Sequence, residues 1–377
     1  VIVKEHFDVI VVGTQLAPLL SGALLCKRGF RVLVVGAGER GSEAVPAVTG
    51  ELESPVAKRV LAELGIAQLV RRKELPLDPL FQIVTPRSRV SVPSDPGQLL
   101  AQLARELPRE REAARVFYQD LESALRAIDD VLETGASLPP RGFIERQRVR
   151  RLLASTPFGV DGLGGRLLDA LADAPGLRSC VFAHVVPSSR LDRRQIAPVH
   201  AALLHGRAVR KQVVLEGGIK GLKDLLLHRI STTRGEIKVG ERIEEIEVQR
   251  GRVAHVKLEG HESATGCDFL LAGVALESLA RLLRQDGRRY DEDVVDGPGI
   301  ETAAHIATLR LVLRREVFPE PMARLVYVLF DEAAPPFEAN LAVLERGAGP
   351  SEGTAELWVS FLVDHRKAME NPAYVDD

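Results

Sequence analysis

The sequence predicts an α/β fold in which a doubly wound, largely parallel sheet is interrupted by an inserted region of helices and an antiparallel sheet. Three observations predict it. Asp8 to Gly38, DVIVVGTQLAPLLSGALLCKRGFRVLVVGAG, runs as apolar strand, glycine turn, helix and second apolar strand, the outline of a βαβ unit. The pattern then turns mainly helical from Pro96 to Leu204. Short apolar or alternating runs return after residue 210 and again after residue 306. That order fits one fold opened by another better than two domains in series.

Taken along the chain, Val9–Val12 is a strand that enters its turn at Gly13, and Leu16, Leu19, Leu20, Ala23 and Leu24 mark the helix that follows. Gly29 ends that helix before a second strand, Arg31–Val35, and Gly36–Gly50 is a loop rich in Gly, Ala and Glu. A helix is expected over Pro55–Leu64, stopped by Gly65, and Phe81–Val92 has the two short runs of a hairpin around Pro86–Ser88. Further helices are expected over Pro96–Leu107, Arg109–Glu133, Phe143–Ala154, Leu163–Ala172 and Gln195–Leu204. The second of these repeats Leu121, Leu125, Ile128 and Leu132 at helical spacing. Arg210–Leu215 reads as a strand, then Gly217-Gly218 and a helix over Leu222–Ile230. Strands follow at Glu236–Val239, Ile243–Val248, Val253–Leu258 and Asp268–Ala272, with a helix over Glu277–Leu283. The runs Ile306–Leu313, Leu325–Phe330, Leu341–Leu344 and Leu357–Leu362 suggest an antiparallel sheet.

At 377 residues, with 45% hydrophobic and 27% charged residues, the composition is that of an ordinary globular protein with room for two domains. A net charge of −2 gives no footprint for a nucleic-acid partner. The three cysteines, Cys26, Cys180 and Cys267, are scattered and odd in number, which fits a reducing compartment and no metal framework. No apolar run approaches the ~18 residues of a membrane span. The first strand begins within a few residues of the N-terminus, leaving no room for a leader, so a cytoplasmic protein is expected. The chain ends at ENPAYVDD without a closing element, and a further C-terminal segment is expected.

The βαβ outline is the arrangement that sets a pyrophosphate on a helix N-terminus, where free N–H groups and the helix dipole attract anions. Its fingerprint is Gly-x-Gly-x-x-Gly with an acidic residue closing the second strand to hold a ribose hydroxyl. Here the glycine positions read Gly13, Gln15 and Pro18, and the acidic position reads Gly36. Gln15 places a side chain where the main chain normally approaches the pyrophosphate. Pro18 falls in the first helical turn, where a missing N–H costs little. Gly36 removes a charged hydrogen bond worth about 1.5–3 kcal/mol, or roughly one to two orders of magnitude in affinity. Restoring both, with Gln15→Gly and Gly36→Glu, is expected to raise affinity for the dinucleotide. From the residues alone the unit serves either as scaffold or as an altered cofactor site.

Several segments carry a resemblance. The first βαβ, the stretch LDPLFQIVTPRSRVSVPSDPGQLLAQLARELPREREAARVFY, the stretch LEGGIKGLKDLLLHRISTTRGEIKVGERIEEIEVQRGRVAHVKLEG, and CDFLLAGVALESLARLL stand in the order found in flavoproteins. The chain resembles the phytoene desaturase-like family of FAD-dependent oxidoreductases within the amine oxidase superfamily. It is also similar at its first turn, GTQLAPLLSG, to the guanine-nucleotide dissociation inhibitor and Rab escort proteins. The resemblance implies a Rossmann-like FAD/NAD(P)-binding domain over 1–75 and 208–300, and a substrate domain over 76–207 and 301–377. It implies cofactor contacts from Gly13, Thr14, Gln15, Leu16, Gly36, Arg40, Ile243 and Gly273. Among these Gly13 would turn toward the pyrophosphate, Arg40 would lie near the phosphates and the backbone of Ile243 would meet the adenine. It implies hydride transfer from an apolar, isoprenoid- or lipid-like substrate to FAD, with no catalytic side chain required. The alternatives are an inactive relative that carries a lipid or binds a protein, and an NAD(P)-dependent oxidoreductase, which Gly36 does not favour.

Other signals carry less. Gly162-Leu163-Gly164-Gly165 follows no strand and reads as a turn, whereas Gly217-Gly218 is equally a plain turn or a phosphate turn. The nine histidines show no metal spacing; His200 and His205 miss the i, i+4 pair, and His184 and His305 read as core or surface residues. Arg146, Arg148, Arg150 and Arg151, near Phe143, Val149 and Leu152, form a solvated face or a peripheral contact with an anionic membrane.

Overall fold

The computed structural model describes residues 3–36, 48–135, 140, 142–154, 167–285, 288–289 and 303–370. In chain order the first elements are β1 (Val3–Val12), α1 (Leu16–Lys27), β2 (Val32–Gly36), β3 (Val48–Thr49), α2 (Pro55–Leu64), α3 (Ala67–Arg71), β4 (Glu74–Pro76), β5 (Phe81–Val84), β6 (Arg89–Val92), α4 (Pro96–Glu106), α5 (Arg111–Glu133) and α6 (Phe143–Ala154). They continue with α7 (Pro175–Ser189), α8 (Pro198–Arg210), β7 (Val213–Leu215), α9 (Gly218–Ser231), β8 (Gly235–Val239), β9 (Ile243–Gln249), β10 (Arg252–Leu258), β11 (Ala264–Ala272), α10 (Leu276–Leu282), β12 (Leu283–Gln285) and β13 (Arg288–Arg289). The last strands are β14 (Ala304–Arg314), β15 (Leu325–Leu329), β16 (Leu341–Ala348) and β17 (Thr354–Asp364). The chain divides into two compact units, one of residues 1–47, 58–74 and 215–301 and one of residues 48–57, 75–214 and 302–377.

The first unit is built on an eight-stranded sheet in the order β13-β12-β9-β10-β11-β1-β2-β8. Strands β11, β1, β2 and β8 run parallel, with Val9 opposite both Phe269 and Val32. Residues Val9 to Val12 are all buried, so both faces of β1 are covered and the strand reads as an unbroken apolar run rather than an alternation. Phe7, Ile10, Val12, Leu33 and Val35 form one buried cluster with Ile246 and Val256. Helix α1 buries Leu19, Ala23 and Cys26 and packs beside α9.

The second unit combines helices with a six-stranded sheet in the order β14-β17-β16-β15-β5-β6. All its pairings are antiparallel except β5 with β15. Helix α5 buries Ala114, Phe117, Leu121, Ala124, Leu125, Ile128 and Val131, the three-and-four spacing of an amphipathic helix. Helix α4 starts where Asp95 accepts the N–H of Gly97 at 2.9 Å, with Pro96 at the first helical position.

Several boundaries differ from expectation. Of the helix expected over Leu163–Ala172, the described part holds only a short 3-10 turn, Asp169–Leu171. The helix expected over Gln195–Leu204 starts at Pro198 and runs on to Arg210, because Arg193–Gln195 forms its own 3-10 turn closed by an Asp192 capping box. The strand expected from Arg210 is therefore delayed to Val213. Helix α7 was not expected at all. Its middle, Val181 to Val186, is buried without a break, and so has no stripe for periodicity to reveal. Gly162 to Gly165 lie outside the described residues.

Candidate functional site

The first unit holds a cavity of about 870 Å³ at the carboxyl ends of β1, β2 and β11. In open α/β sheets this is the edge where ligands bind. Its wall at the first turn is tightly fixed. The N–H of Gly13 donates to Val35 at 2.8 Å, and the N–H of Gly273 donates to Val12 at 2.7 Å. Gly13 has φ +110°, and a Cβ there would stand 2.6 Å from the Gly273 carbonyl oxygen, so both its conformation and its surroundings demand glycine.

Gln15 is the N-cap of α1, with φ −69° and ψ 165°. This extended backbone suits any residue, which explains how Gln15 stands at a glycine position without strain. Gln15 lines the cavity, and its side chain is exposed and makes no capping bond, so the first N–H groups of α1 carry no side-chain cap. Pro18 is buried, and a Cβ on Gly273 would meet its Cγ at 2.6 Å. The proline ring thus fills the space between the two turns.

Gly36 closes β2, and its carbonyl accepts the Gly240 N–H at 2.7 Å. A Cβ built on Gly36 would lie 2.8 Å from Thr14 Cγ2 and 3.3 Å from the Thr14 nitrogen. The threonine methyl therefore occupies the approach that an acidic side chain would use. The expected gain from Gln15→Gly with Gly36→Glu needs correction accordingly: Thr14 must change too.

Six of the expected residues, Gly13, Thr14, Gln15, Gly36, Ile243 and Gly273, line this one cavity. Leu16 opens α1 half-buried and is not part of the lining, while Arg40 lies outside the described residues. The sequence reading missed Glu241, Arg242, Ser278 and Arg281. Arg242 follows the turn at Gly240, and Arg281 lies on α10, where its guanidinium donates to Ser278 Oγ at 3.2 Å. Their signal was position alone: Glu241 and Arg242 follow the end of β8, and Ser278 and Arg281 lie on α10, the helix after β11. The described lining carries two arginines and one glutamate, an excess of positive charge suited to a phosphate. It contains no histidine or cysteine. The arrangement is suited to binding a phosphate.

The chain matches no protein-family model and no curated protein. Its structure is similar to that of an oxidoreductase from Methanosarcina mazei, at 13% identity and a TM-score of 0.59, over 98% of this chain and 82% of that one. The fold is Rossmann-like α/β. A protein from Pyrococcus furiosus is similar at 16% identity and a TM-score of 0.57, over 96% of this chain and 82% of that one. A Rab GDI from Plasmodium falciparum is similar at 11% identity and a TM-score of 0.52, over 98% and 86%. At these identities the likeness is one of fold.

The other sequence signals resolve simply. Gly217, at φ +81°, is the N-cap of α9 and lies outside the cavity lining, so Gly217-Gly218 is a turn. Cys26, Cys180 and Cys267 are all buried. Burial pushes the Cys180 thiol up to about 12 and the Cys267 thiol up to about 11, which leaves both inert. His184 is a core residue, 2% exposed.

Proposed function

We propose that the cavity of the first unit binds FAD and that the protein is a flavin-dependent oxidoreductase acting on an apolar, isoprenoid- or lipid-like substrate. The observation that carries this reading is the convergence of the Gly13 turn, the uncapped start of α1 and two arginines on one cavity at the carboxyl edge of a parallel sheet. These residues fit the phosphate half of a dinucleotide: the Gly13 turn and Gln15, the N-cap of α1, line the cavity, and Arg242 and Arg281 add charge. Ile243, at the start of β9, offers backbone for the adenine. The ribose position fits less well, because Gly36 has no carboxylate and Thr14 fills its approach. FAD, when bound, supplies the hydride acceptor, and the chain's own part is to hold it and keep water away.

The test is the flavin absorbance of the purified protein and a titration of apo-protein with FAD. Saturable binding, weakened by Gln15→Asp at the helix N-terminus, supports the reading. A colourless protein that takes up no FAD sinks it. Gly36→Glu should tighten FAD binding only when combined with Thr14→Ala.

A second reading, a carrier of a lipid-like ligand, is favoured by a cavity of about 840 Å³ in the second unit. Leu99, Leu121, Ala127 and Val209 give it an apolar lining, and Arg115, Arg126 and Arg210 give it charge. Peripheral membrane contact is part of either reading. Helix α6 starts with Phe143 and Ile144, 76% and 81% exposed, beside the exposed Arg146, Arg148, Arg150 and Arg151.

A further inference from the structure

A separate cavity of about 930 Å³ opens in the second unit, walled by one side of α7, the turn at residues 192–194 and the loop after β15. Four arginines line it, Arg87, Arg178, Arg193 and Arg194, against two carboxylates, Asp192 and Glu332. The carboxylates are largely engaged. Glu332 is held by Arg87, whose Nε donates to it at 2.9 Å, and by the Thr85 hydroxyl at 2.5 Å. Asp192 accepts the N–H of Arg194 at 2.9 Å as the cap of its own turn. Among the described residues, no ion pair joins Arg178 or Arg194 to a carboxylate within salt-bridge distance. Arg178 has only a 3.4 Å bond to the Ala172 carbonyl.

We propose that this cavity is a binding site for a small organic phosphate, its charge received by Arg178, Arg193 and Arg194 and its apolar part lying against Phe182 and the Pro335-Pro336 wall. The arginines are held in place before any ligand arrives. The Arg193 guanidinium lies 4.9 Å from the Phe182 ring centroid, and the ring is itself buried at 6% exposure. The capping box of Asp192 and Gln195 fixes the turn that carries Arg193 and Arg194. The facing loop is pinned by Asn340, whose side-chain amide donates to Asp331 and Pro335 carbonyls at 2.9 Å each and whose oxygen accepts the Asp331 N–H at 2.7 Å. Burial and then the neighbouring Arg178 both push the Arg193 guanidinium below its ordinary value, with Asp192 opposing. Two like charges set side by side on fixed elements are costly until an anion joins them, and a phosphate presents the oxygens that guanidinium forks match. Ser179, also in the lining, adds a hydroxyl donor. An organic phosphate suits the cavity better than a bare ion because the opposite wall is apolar.

The proposal is independent of flavin in the first unit, and the test separates the two. Phenyl phosphate and inorganic phosphate are titrated into the full chain by calorimetry. Saturable binding is expected, tighter for phenyl phosphate. Arg178→Gln or Arg193→Gln should each weaken it about tenfold, the size of one charge-assisted hydrogen bond. The pair together should abolish it, while FAD uptake and the unfolding midpoint stay as in the parent chain. Absence of saturable binding, or binding that survives the double substitution, overturns the proposal. Competition of phenyl phosphate by vesicles of phosphatidylcholine with phosphatidic acid would identify a lipid headgroup as the source of the phosphate, and lack of competition a soluble ligand; the site stands in both.

Discussion

Buried imidazoles show how single residues set the response of this protein to pH. His184 and His205 lie in the second unit with their rings 5.1 Å apart, against Phe81, Phe117, Tyr118 and Tyr327. His205 Nε2 is hydrogen bonded to the Tyr118 hydroxyl at 3.0 Å, while both Nδ1 atoms meet no partner among the described residues. Burial pushes His205 down to about 3 and His184 well below 6.5, the latter helped by His205. Unfolded, both take up protons that the folded chain refuses, so stability is full above 6.5 and falls as the pH drops toward the folded values. Glu345 works the other way. Burial raises its carboxyl to about 7, opposed by Arg324, so the folded chain keeps a proton the unfolded chain has lost, and stability falls as the pH rises from 4.5. Between about pH 5.5 and 6.5 two partly protonated imidazoles outweigh one carboxyl, leaving a net rise in stability of somewhat less than one proton's worth, roughly 1 kcal/mol per pH unit. Urea unfolding across that window should show this slope, and His205→Gln should reduce it toward zero. A parent slope of zero or of opposite sign would show that the imidazoles titrate normally. None of this was legible in the sequence. His184 lay in an apolar run and read as core or surface, but its ring neighbours come from β5, α8 and β15, which no local pattern brings together.

Elements were legible where one face is buried and the other is not. Helix α2 falls within Pro55–Leu64 and α6 within Phe143–Ala154 as the pattern predicts, and α5 follows its leucine spacing. Helix α7 escaped because the unbroken burial of Val181 to Val186 erases the stripe. The fingerprint around α1 was legible as fold and not as site, since the collision of Thr14 with position 36 depends on two strand ends meeting in space. The same packing makes opposite predictions for two glycines that look alike in sequence. A Cβ on Gly22, inside α1, would find Val34 at 3.4 Å, Ile230 at 3.6 Å and Val11 at 3.7 Å, all ordinary contacts. Gly22→Ala should therefore stabilise the protein by about 0.5–1 kcal/mol through helix propensity. A Cβ on Gly235, the first residue of β8, would stand 2.2 Å from Ile230 Cγ2 and 2.9 Å from Cys26 Sγ. Gly235→Ala should destabilise by about 1–3 kcal/mol through overpacking. Denaturant midpoints of the two variants decide it; equal shifts would mean that the α1–α9 layer is not packed as described.

At the scale of the whole molecule, both units draw on distant segments of chain. In the first, β1 pairs with β11, placing Val9 opposite Phe269; in the second, β5 pairs with β15, placing Ile83 opposite Tyr327. Neither unit forms from one continuous stretch, so each is best followed by a reporter of its own. Trp358, the single tryptophan of the sequence, provides one: it lies buried in β17, 5.2 Å from the Arg310 guanidinium, and its fluorescence follows the second unit. Hydrogen exchange of peptides from β1 and β11 follows the first. A ligand that binds only the folded form stabilises it by about 2.7 kcal/mol at a hundred times its dissociation constant. FAD at that excess should slow exchange in β1 and β11, because its proposed cavity is made by their carboxyl ends. Phenyl phosphate should instead raise the urea midpoint read by Trp358, because its proposed cavity is walled by α7 and the loop after β15. If each ligand moves only the other reporter, both sites have been assigned to the wrong unit. If each moves both equally, the two units unfold as one cooperative body, and the arginine and glycine substitutions alone must then locate the sites.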